Sequence, residues 1–349
     1  MKRILIANPF GIGDVLFSMA SVERLREVYP DAFLGFICNE RTEDLLKLCP
    51  SVNQLYVFSR DSLREAWRKS PLLFLQEINI LLKTIARDRY DALFDFSLGR
   101  EFSLAAFLIG IRERIGFDYK GRGIFLTRKK NIKSYGKNPV AQEQVDLLQE
   151  FKILPDDHMP EKILIHVPEI ELGLENEHKV LAIAPGGGKS WGKNASYKQW
   201  EVEKFAETVN QIIRWKPGTQ AVLLGDAAEE ALLRELKSML NEPPRFVLVG
   251  ESMEKVCTIL KKSDLLLCND GGLLHLAHAL GTKTVAIFGP VDEKIYGPYG
   301  GPAQSRVLVE QVPCRPCYKN FYFPACFHER RCLAELSSDK VIEAVKEIL

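Results

Sequence analysis

Residues 264–289 read DLLLCNDGGLLHLAHALGTKTVAIFG. Two apolar runs, DLLLC (264–268) and TVAIFG (284–289), flank a middle with the length and spacing of a short helix. Near-continuous apolar runs of this kind suit strands buried on both faces of a parallel sheet. The helix between them opens on Asp270-Gly271-Gly272 and carries His275 in its first turn. As an N-cap, Asp270 explains itself. The doubled glycine does not, because consecutive glycines at a helix start cost chain entropy and imply that something needs the room. Their N–H groups would be unpaired helix-start donors, which suit a phosphate. For His275 two readings stand side by side, a packed histidine and a phosphate or ribose contact.

Outward from this stretch the same alternation recurs. In the second half, strands are expected at 179–186, 220–226 and 245–250, with helices at 198–215, 227–240 and 253–263 between them. In the first half, strands are expected at 3–9, 32–39, 53–59 and 91–97. Helical spacing fills 14–30, 41–50 and 63–90, the last broken or restarted by Pro71. Strands separated by helices argue for parallel sheets covered on both faces. From 112 to 170 the pattern loosens. Residues 112–137 carry nine Lys or Arg against two acids, and 161–179 reads as a linker holding one strand. The chain thus divides into two α/β halves, expected at 1–170 and 171–335. A C-terminal helix over 336–349 is expected to pack back on the N-terminal domain.

With 349 residues, two domains are expected rather than one core. The net charge of +1 gives no reason to expect nucleic acid. No apolar run approaches bilayer length, and the N-terminal MKRILIANPF reads as a strand, not a signal peptide. A cytoplasmic protein is the expectation. Of the eight cysteines, Cys314, Cys317, Cys326 and Cys332 crowd one segment. Four thiolates are able to hold a structural zinc. A small sulfur-rich packing cluster without a catalytic role is the preferred reading.

Ligands of doubly wound sheets sit at the carboxyl ends of strands, and three turns at such places carry unusual residues. PFGIGDVLFS (9–18) offers Gly11 and Gly13 for a tight turn and Asp14 at a helix start. Leu16 stands where a dinucleotide fingerprint needs its third glycine. Asp14 is read with equal weight as a helix cap and as a general base. APGGGKSWGKNASYKQW (184–200) runs from a strand into a loop rich in Gly, Lys and Ser that suits an anion, though it is no Walker loop. The third turn is 269–281 itself.

Taken together, Gly13-Asp14, Pro185-Gly186 with Lys198-Gln199-Trp200, Asp270-Gly271-Gly272 with His275, and Phe288-Gly289-Pro290-Val291-Asp292 resemble the pattern of glycosyltransferase family 9, the ADP-heptose:lipopolysaccharide heptosyltransferases. The resemblance runs in order along nearly the whole chain. It implies a GT-B fold, two Rossmann-like doubly wound parallel-sheet domains facing across a cleft, the first for acceptor and the second for nucleotide-sugar. It implies an inverting, metal-independent transferase that needs no cofactor and takes an ADP-sugar, ADP-heptose first. Asp14 would be the general base, and Gly11, Gly13 and Arg122 would face the acceptor. Gly186, Gly187, Lys198, Asp226, Asp270, Gly271, Gly272 and His275 would bind the donor, with Lys198 as the cation on the diphosphate.

The implied acceptor is a lipid-linked anionic oligosaccharide of the lipopolysaccharide inner core. That implies peripheral contact with the cytoplasmic face of the inner membrane, where the basic segment 112–137 would be useful. Two alternatives share the fold: a nucleotide-sugar epimerase or hydrolase, and a sugar-nucleotide-binding relative without catalysis.

Overall fold

The computed structural model describes residues 2–135, 138–174, 178–299 and 304–349. Lys137 of the basic segment, residues 175–177 of the expected linker and the side chains of Lys189 and Ser190 lie outside this description. The chain divides into two compact units, Met1–His166 and Val167–Leu349.

In the first unit the elements run β1 (Arg3–Ala7), α1 (Ile12–Val28), β2 (Phe33–Cys38), α2 (Glu43–Lys47), β3 (Gln54–Val57), α3 (Arg60–Lys69) and α4 (Pro71–Arg87). Then come β4 (Ala92–Asp95), α5 (Glu101–Leu108), β5 (Glu113–Tyr119), β6 (Arg128–Ile132) and α6 (Val140–Glu150). The sheet is parallel in the order β3-β2-β1-β4-β5-β6. Pro71 opens α4 at its first turn, where its missing N–H has no intrahelical acceptor to lose. Leu5, Ala7, Ile37, Leu93 and Phe102 belong to one of the buried clusters of this unit.

The second unit runs β7 (Val180–Ala184), α7 (Val202–Trp215), β8 (Gln220–Gly225), α8 (Glu230–Met239), β9 (Phe246–Val249), α9 (Met253–Lys262) and β10 (Leu265–Asn269). It continues with α10 (Gly272–Ala279), β11 (Lys283–Phe288), α11 (Glu293–Tyr296), β12 (Ser305–Val309), α12 (Arg331–Ala334) and α13 (Ser338–Ile348). Its parallel sheet has the order β12-β11-β10-β7-β8-β9. Counted from the first strand of each unit, both sheets have the doubly wound order in which strand direction of travel reverses beside that first strand. The switch points are therefore β1/β4 and β7/β10.

Three expectations are corrected. The segment after residue 112 is not loose: β5, β6 and α6 complete the first unit. β6 (RKKNI) has no apolar run because it is an edge strand, where charge is tolerated and discourages pairing with other chains. No strand forms among the described residues of 161–174. There Leu164 donates its N–H to Glu23 Oε1 (3.1 Å) and His166 donates to the Leu48 carbonyl (2.6 Å), in place of a ladder. Finally, α13 belongs to the second unit: Val341, Ala344, Val345 and Ile348 enter its core with Phe205 and Val209 of α7.

Candidate functional site

In the second unit, β7 ends at Ala184 and the chain turns through Pro185-Gly186-Gly187-Gly188. A Cβ on Gly186 would overlap the Glu229 carboxylate, and one on Gly187 would lie 2.5 Å from the Ala195 carbonyl oxygen. Gly187 is required by the approach of backbone, a side chain at Gly186 would have to displace the Glu229 carboxylate, and Gly188 is favoured by its φ of 71°. Glu229 organises this turn by accepting the Gly188 N–H (3.1 Å) and the Asp226 N–H (3.1 Å). Asp226 itself caps the short turn after β8, accepting the Ala228 N–H at 2.7 Å.

Asn269, the last residue of β10, ties the two sides of the switch point together. Its amide donates to the Pro185 carbonyl (2.6 Å), and its oxygen accepts the Trp200 N–H (3.1 Å). Trp200 is buried and anchored through Nε1 to the Leu336 carbonyl. That anchoring fixes the segment carrying Lys198, which is buried with its Nζ 2.7 Å from Asp270 Oδ2. Asp270 is therefore not the cap expected of it. The N-cap of α10 is Gly271, which has extended backbone (φ −178°, ψ 178°). Any residue adopts that conformation, and a Cβ there would meet nothing nearer than 3.9 Å. The doubled glycine is not forced by sterics at its first position.

His275 lies buried beside this pair. Burial lowers its pKa to about 4, Lys198 and His278 push it the same way, and Asp270 opposes them. The imidazole is neutral near pH 7 and offers a hydrogen bond rather than a charge. His278 is a packing residue whose Nδ1 lies 3.0 Å from Ser305 Oγ. The structure thus gathers Gly186, Gly187, Lys198, Asp270, Gly271, Gly272 and His275 at one switch point, with Asp226 one strand further along at the end of β8.

The following turn, Gly289-Pro290-Val291-Asp292, is held by Arg315, which donates to the carbonyls of Gly289 (2.7 Å) and Val291 (2.9 Å) and pairs with Glu293 (2.7 Å). Arg315 stands between two of the clustered cysteines. All four are free thiols. Burial first, and the neighbouring sulfurs of Cys317, Cys314 and Cys326 next, push the Cys332 thiol up to about 11. Among the described residues no group of three or more His, Cys, Asp or Glu is arranged to hold a metal ion.

In the first unit the equivalent turn is Asn8-Pro9-Phe10-Gly11. The helix it feeds is capped by Gly11, and Asp14 sits in its first turn with Oδ2 accepting the Gly11 N–H at 3.3 Å. Gly11 has extended backbone (φ −76°, ψ 176°), a conformation open to any residue. Asn8 donates to the Asp14 carbonyl (2.9 Å) and to Ser18 Oγ (2.7 Å). Asn39, just past β2, donates to the carbonyls of Pro9 (2.9 Å) and Phe10 (2.5 Å). Across the switch point stands Asp95, the last residue of β4 and level with Ala7. It is buried, Oδ1 accepts from the Ser97 N–H (3.0 Å) and hydroxyl (2.5 Å), and burial raises its pKa to about 6 against those bonds. Arg122 follows β5, two strands from β1, with its guanidinium 5.5 Å from the Tyr119 ring centroid. Much of the surrounding basic segment is engaged locally: Lys129 pairs with Asp118 (2.8 Å), Arg128 with Glu113 (3.1 Å) and Lys130 with Glu150 (3.4 Å).

Four residues that shape the site escaped the sequence reading: Asn39, Asn269, Glu229 and Asp95. Asn39, Asn269 and Asp95 had a signal, a polar residue ending an apolar strand, and Glu229 had none.

Comparisons with known proteins complete the picture. The family model described as glycosyltransferase family 9 (heptosyltransferase) matches residues 78–322. Lipopolysaccharide heptosyltransferase 2 of Escherichia coli is 24% identical over 307 residues, covering 82% of this chain and 83% of that protein. Lipooligosaccharide heptosyltransferase 2 of Campylobacter jejuni is 28% identical over 198 residues, 55% of this chain and 58% of that protein. Among solved structures, the E. coli ADP-heptose lps heptosyltransferase II superposes with a TM-score of 0.75 at 21% identity, covering 100% and 98% of the two chains. A family 9 glycosyl transferase of Veillonella parvula gives 0.79 at 18%, covering 99% and 97%.

Proposed function

The chain belongs to glycosyltransferase family 9, the heptosyltransferases, and from that premise we infer that it transfers a heptose from ADP-heptose to a lipopolysaccharide inner-core acceptor with inversion at the anomeric carbon. The observation that carries this reading is the buried Lys198–Asp270 pair beside the start of α10 at the β7/β10 switch point. A nucleoside diphosphate leaving group develops negative charge as the glycosidic bond breaks. Lys198 Nζ and the first N–H groups of α10 supply a pre-organised positive field for it. Asp270 is of the wrong sign to touch the diphosphate, so its task is to hold Lys198 in place and to accept hydrogen bonds from sugar hydroxyls. Neutral His275 donates or accepts one hydrogen bond without adding charge.

The acceptor oxygen must lose a proton as it attacks. Asp14 is the base for this: a half-buried carboxylate at a helix start, with Oδ2 steadied by the Gly11 N–H. Asn8 and Asn39 fix the turn that presents it. The inverting displacement is a single in-line step. The acceptor O–C1 bond forms, the C1–O bond to diphosphate breaks, and the proton ends on Asp14. Such an enzyme works at the cytoplasmic face of the inner membrane, where a lipid-linked acceptor is presented.

Asp14→Asn tests this directly. Transfer from ADP-heptose should fall by roughly 10²–10⁴-fold in kcat while donor affinity is kept. Turnover equal to the parent protein would remove Asp14 as the base.

A further inference from the structure

Among the described residues, four large apolar side chains exposed to water fall within one nine-residue stretch, while the others are spread along the chain. Residues 67–75 read WRKSPLLFL and form the tip of the α3–α4 hairpin, the end of one helix, a single-residue link at Ser70 and the start of the next. Trp67 is 57% exposed, Leu72 64% and Leu75 59%, and Leu73 is exposed beside them. Singly exposed leucines are unremarkable, but a contiguous group of this kind marks an interaction surface.

The hairpin has its own cohesion. Trp67 stacks edge-on against Phe74 at a centroid distance of 5.3 Å, and Ser70 caps α4 by accepting the Leu72 N–H. Within α3 only Ala66 is buried, and within α4 only Ile85, near the far end of that helix from the tip. The core of the unit therefore does not explain the leucines at 72, 73 and 75.

Charge identifies the partner. Arg68 and Lys69 lie in the tip, and residues 67–75 contain no acid. One turn back on α3, Glu65 pairs with Lys69 (2.6 Å) and Asp61 with Arg64 (3.6 Å), all of them exposed, and residues 60–69 still carry four Lys or Arg against those two acids. An indole, leucines and flanking cations are the combination that seats a surface element in the headgroup region of an anionic bilayer. Spanning is excluded for the described helices, since none is long and apolar enough to cross a membrane.

We propose that the α3–α4 tip, Trp67 to Leu75, is the element by which this protein docks on an anionic phospholipid surface. The leucines and Trp67 enter the headgroup and upper acyl region, and Arg68 and Lys69 meet lipid phosphates. The inference rests on the lipid-linked acceptor of the proposed function, but it concerns residues outside the transfer machinery.

Vesicle flotation of the full chain tests it, with phosphatidylcholine vesicles that either contain or lack phosphatidylglycerol. The parent protein should float with the anionic vesicles, far less with the neutral ones, and less as salt rises. The triple variant Leu72→Ser, Leu73→Ser, Leu75→Ser should lose roughly ten-fold or more of that binding, and Arg68→Glu with Lys69→Glu should abolish the preference for anionic lipid. Both variants should keep the parent's turnover on a detergent-dispersed or delipidated acceptor, so failure of docking and failure of the transfer reading are told apart. Parent protein that ignores anionic vesicles, or a leucine variant that binds them undiminished, would overturn the proposal. So would sedimentation showing a dimer of this chain that the triple variant dissociates, since the patch would then be covered by a second copy.

Discussion

Lys198 and Asp270 are far apart in sequence yet form a buried ion pair at 2.7 Å. Removing one partner of such a pair strands the other charge in a low-dielectric site. Lys198→Met is therefore expected to cost about 3–5 kcal/mol of stability in urea unfolding, in addition to weakening the donor. Adding Asp270→Asn should recover most of the stability and none of the donor affinity. A double variant as unstable as the single one would show that the loss lies in packing, not in charge. Sequence reading placed both residues at the donor, Asp270 also as a cap and Lys198 as the cation on the diphosphate, but did not pair them with each other. Their mutual pairing depends on Asn269 and Trp200 bringing two loops together, which no local pattern contains. His275 was legible as a candidate. That it is neutral was not, because neutrality comes from the burial that the fold imposes.

The element scale separates glycines that look alike in sequence. Gly186 abuts the Glu229 carboxylate, which itself holds the N–H groups of Gly188 and Asp226. Gly271 faces open space from an extended backbone. Gly186→Ala should therefore cost about 1–3 kcal/mol in thermal or urea unfolding, whereas Gly271→Ser should stay within about 0.5 kcal/mol of the parent. Equal effects at the two positions would contradict this account of the loop. The same scale shows where the periodicity reading failed. The missed strands β5 (ERIGFDY) and β6 (RKKNI) have their apolar residues broken up by charged ones, and β6 and β12 are sheet-edge strands, which need no continuous apolar run. α6 has a clear apolar side, Val140, Val145 and Leu148 among its buried residues, but its short amphipathic pattern sits inside a polar stretch. An asparagine fastens the turn after the first strand in both units, Asn39 on Pro9 and Asn269 on Pro185. That shared device explains why each turn keeps its shape without a dinucleotide fingerprint.

For the whole molecule, the proposed division of labour makes a regional prediction. ADP added at about a hundred times its Kd stabilises the state that binds it by about 2.7 kcal/mol. Amide exchange should slow most in residues 184–200 and 269–281 of the second unit, and UDP or GDP at the same concentration should protect less. Protection that is absent, or greatest in the first unit, would dismiss the donor assignment.

By itself the sequence determined the two α/β halves, every inner strand of the second sheet and, of the first, all but β5, together with three unusual turns at strand ends and the family they resemble. It did so because buried parallel strands must be continuously apolar and because close backbone approach demands glycine, both of which are written locally. Tertiary structure alone decided that Asp270 grips Lys198 rather than capping a helix and that α13 completes the second unit. It also decided that Asp95 ends buried beside the first switch point, and that the leucines of the α3–α4 tip stay in water. Each of those depends on which distant segments the sheet order brings together, and burial and pairing are properties of that arrangement rather than of any one stretch of chain.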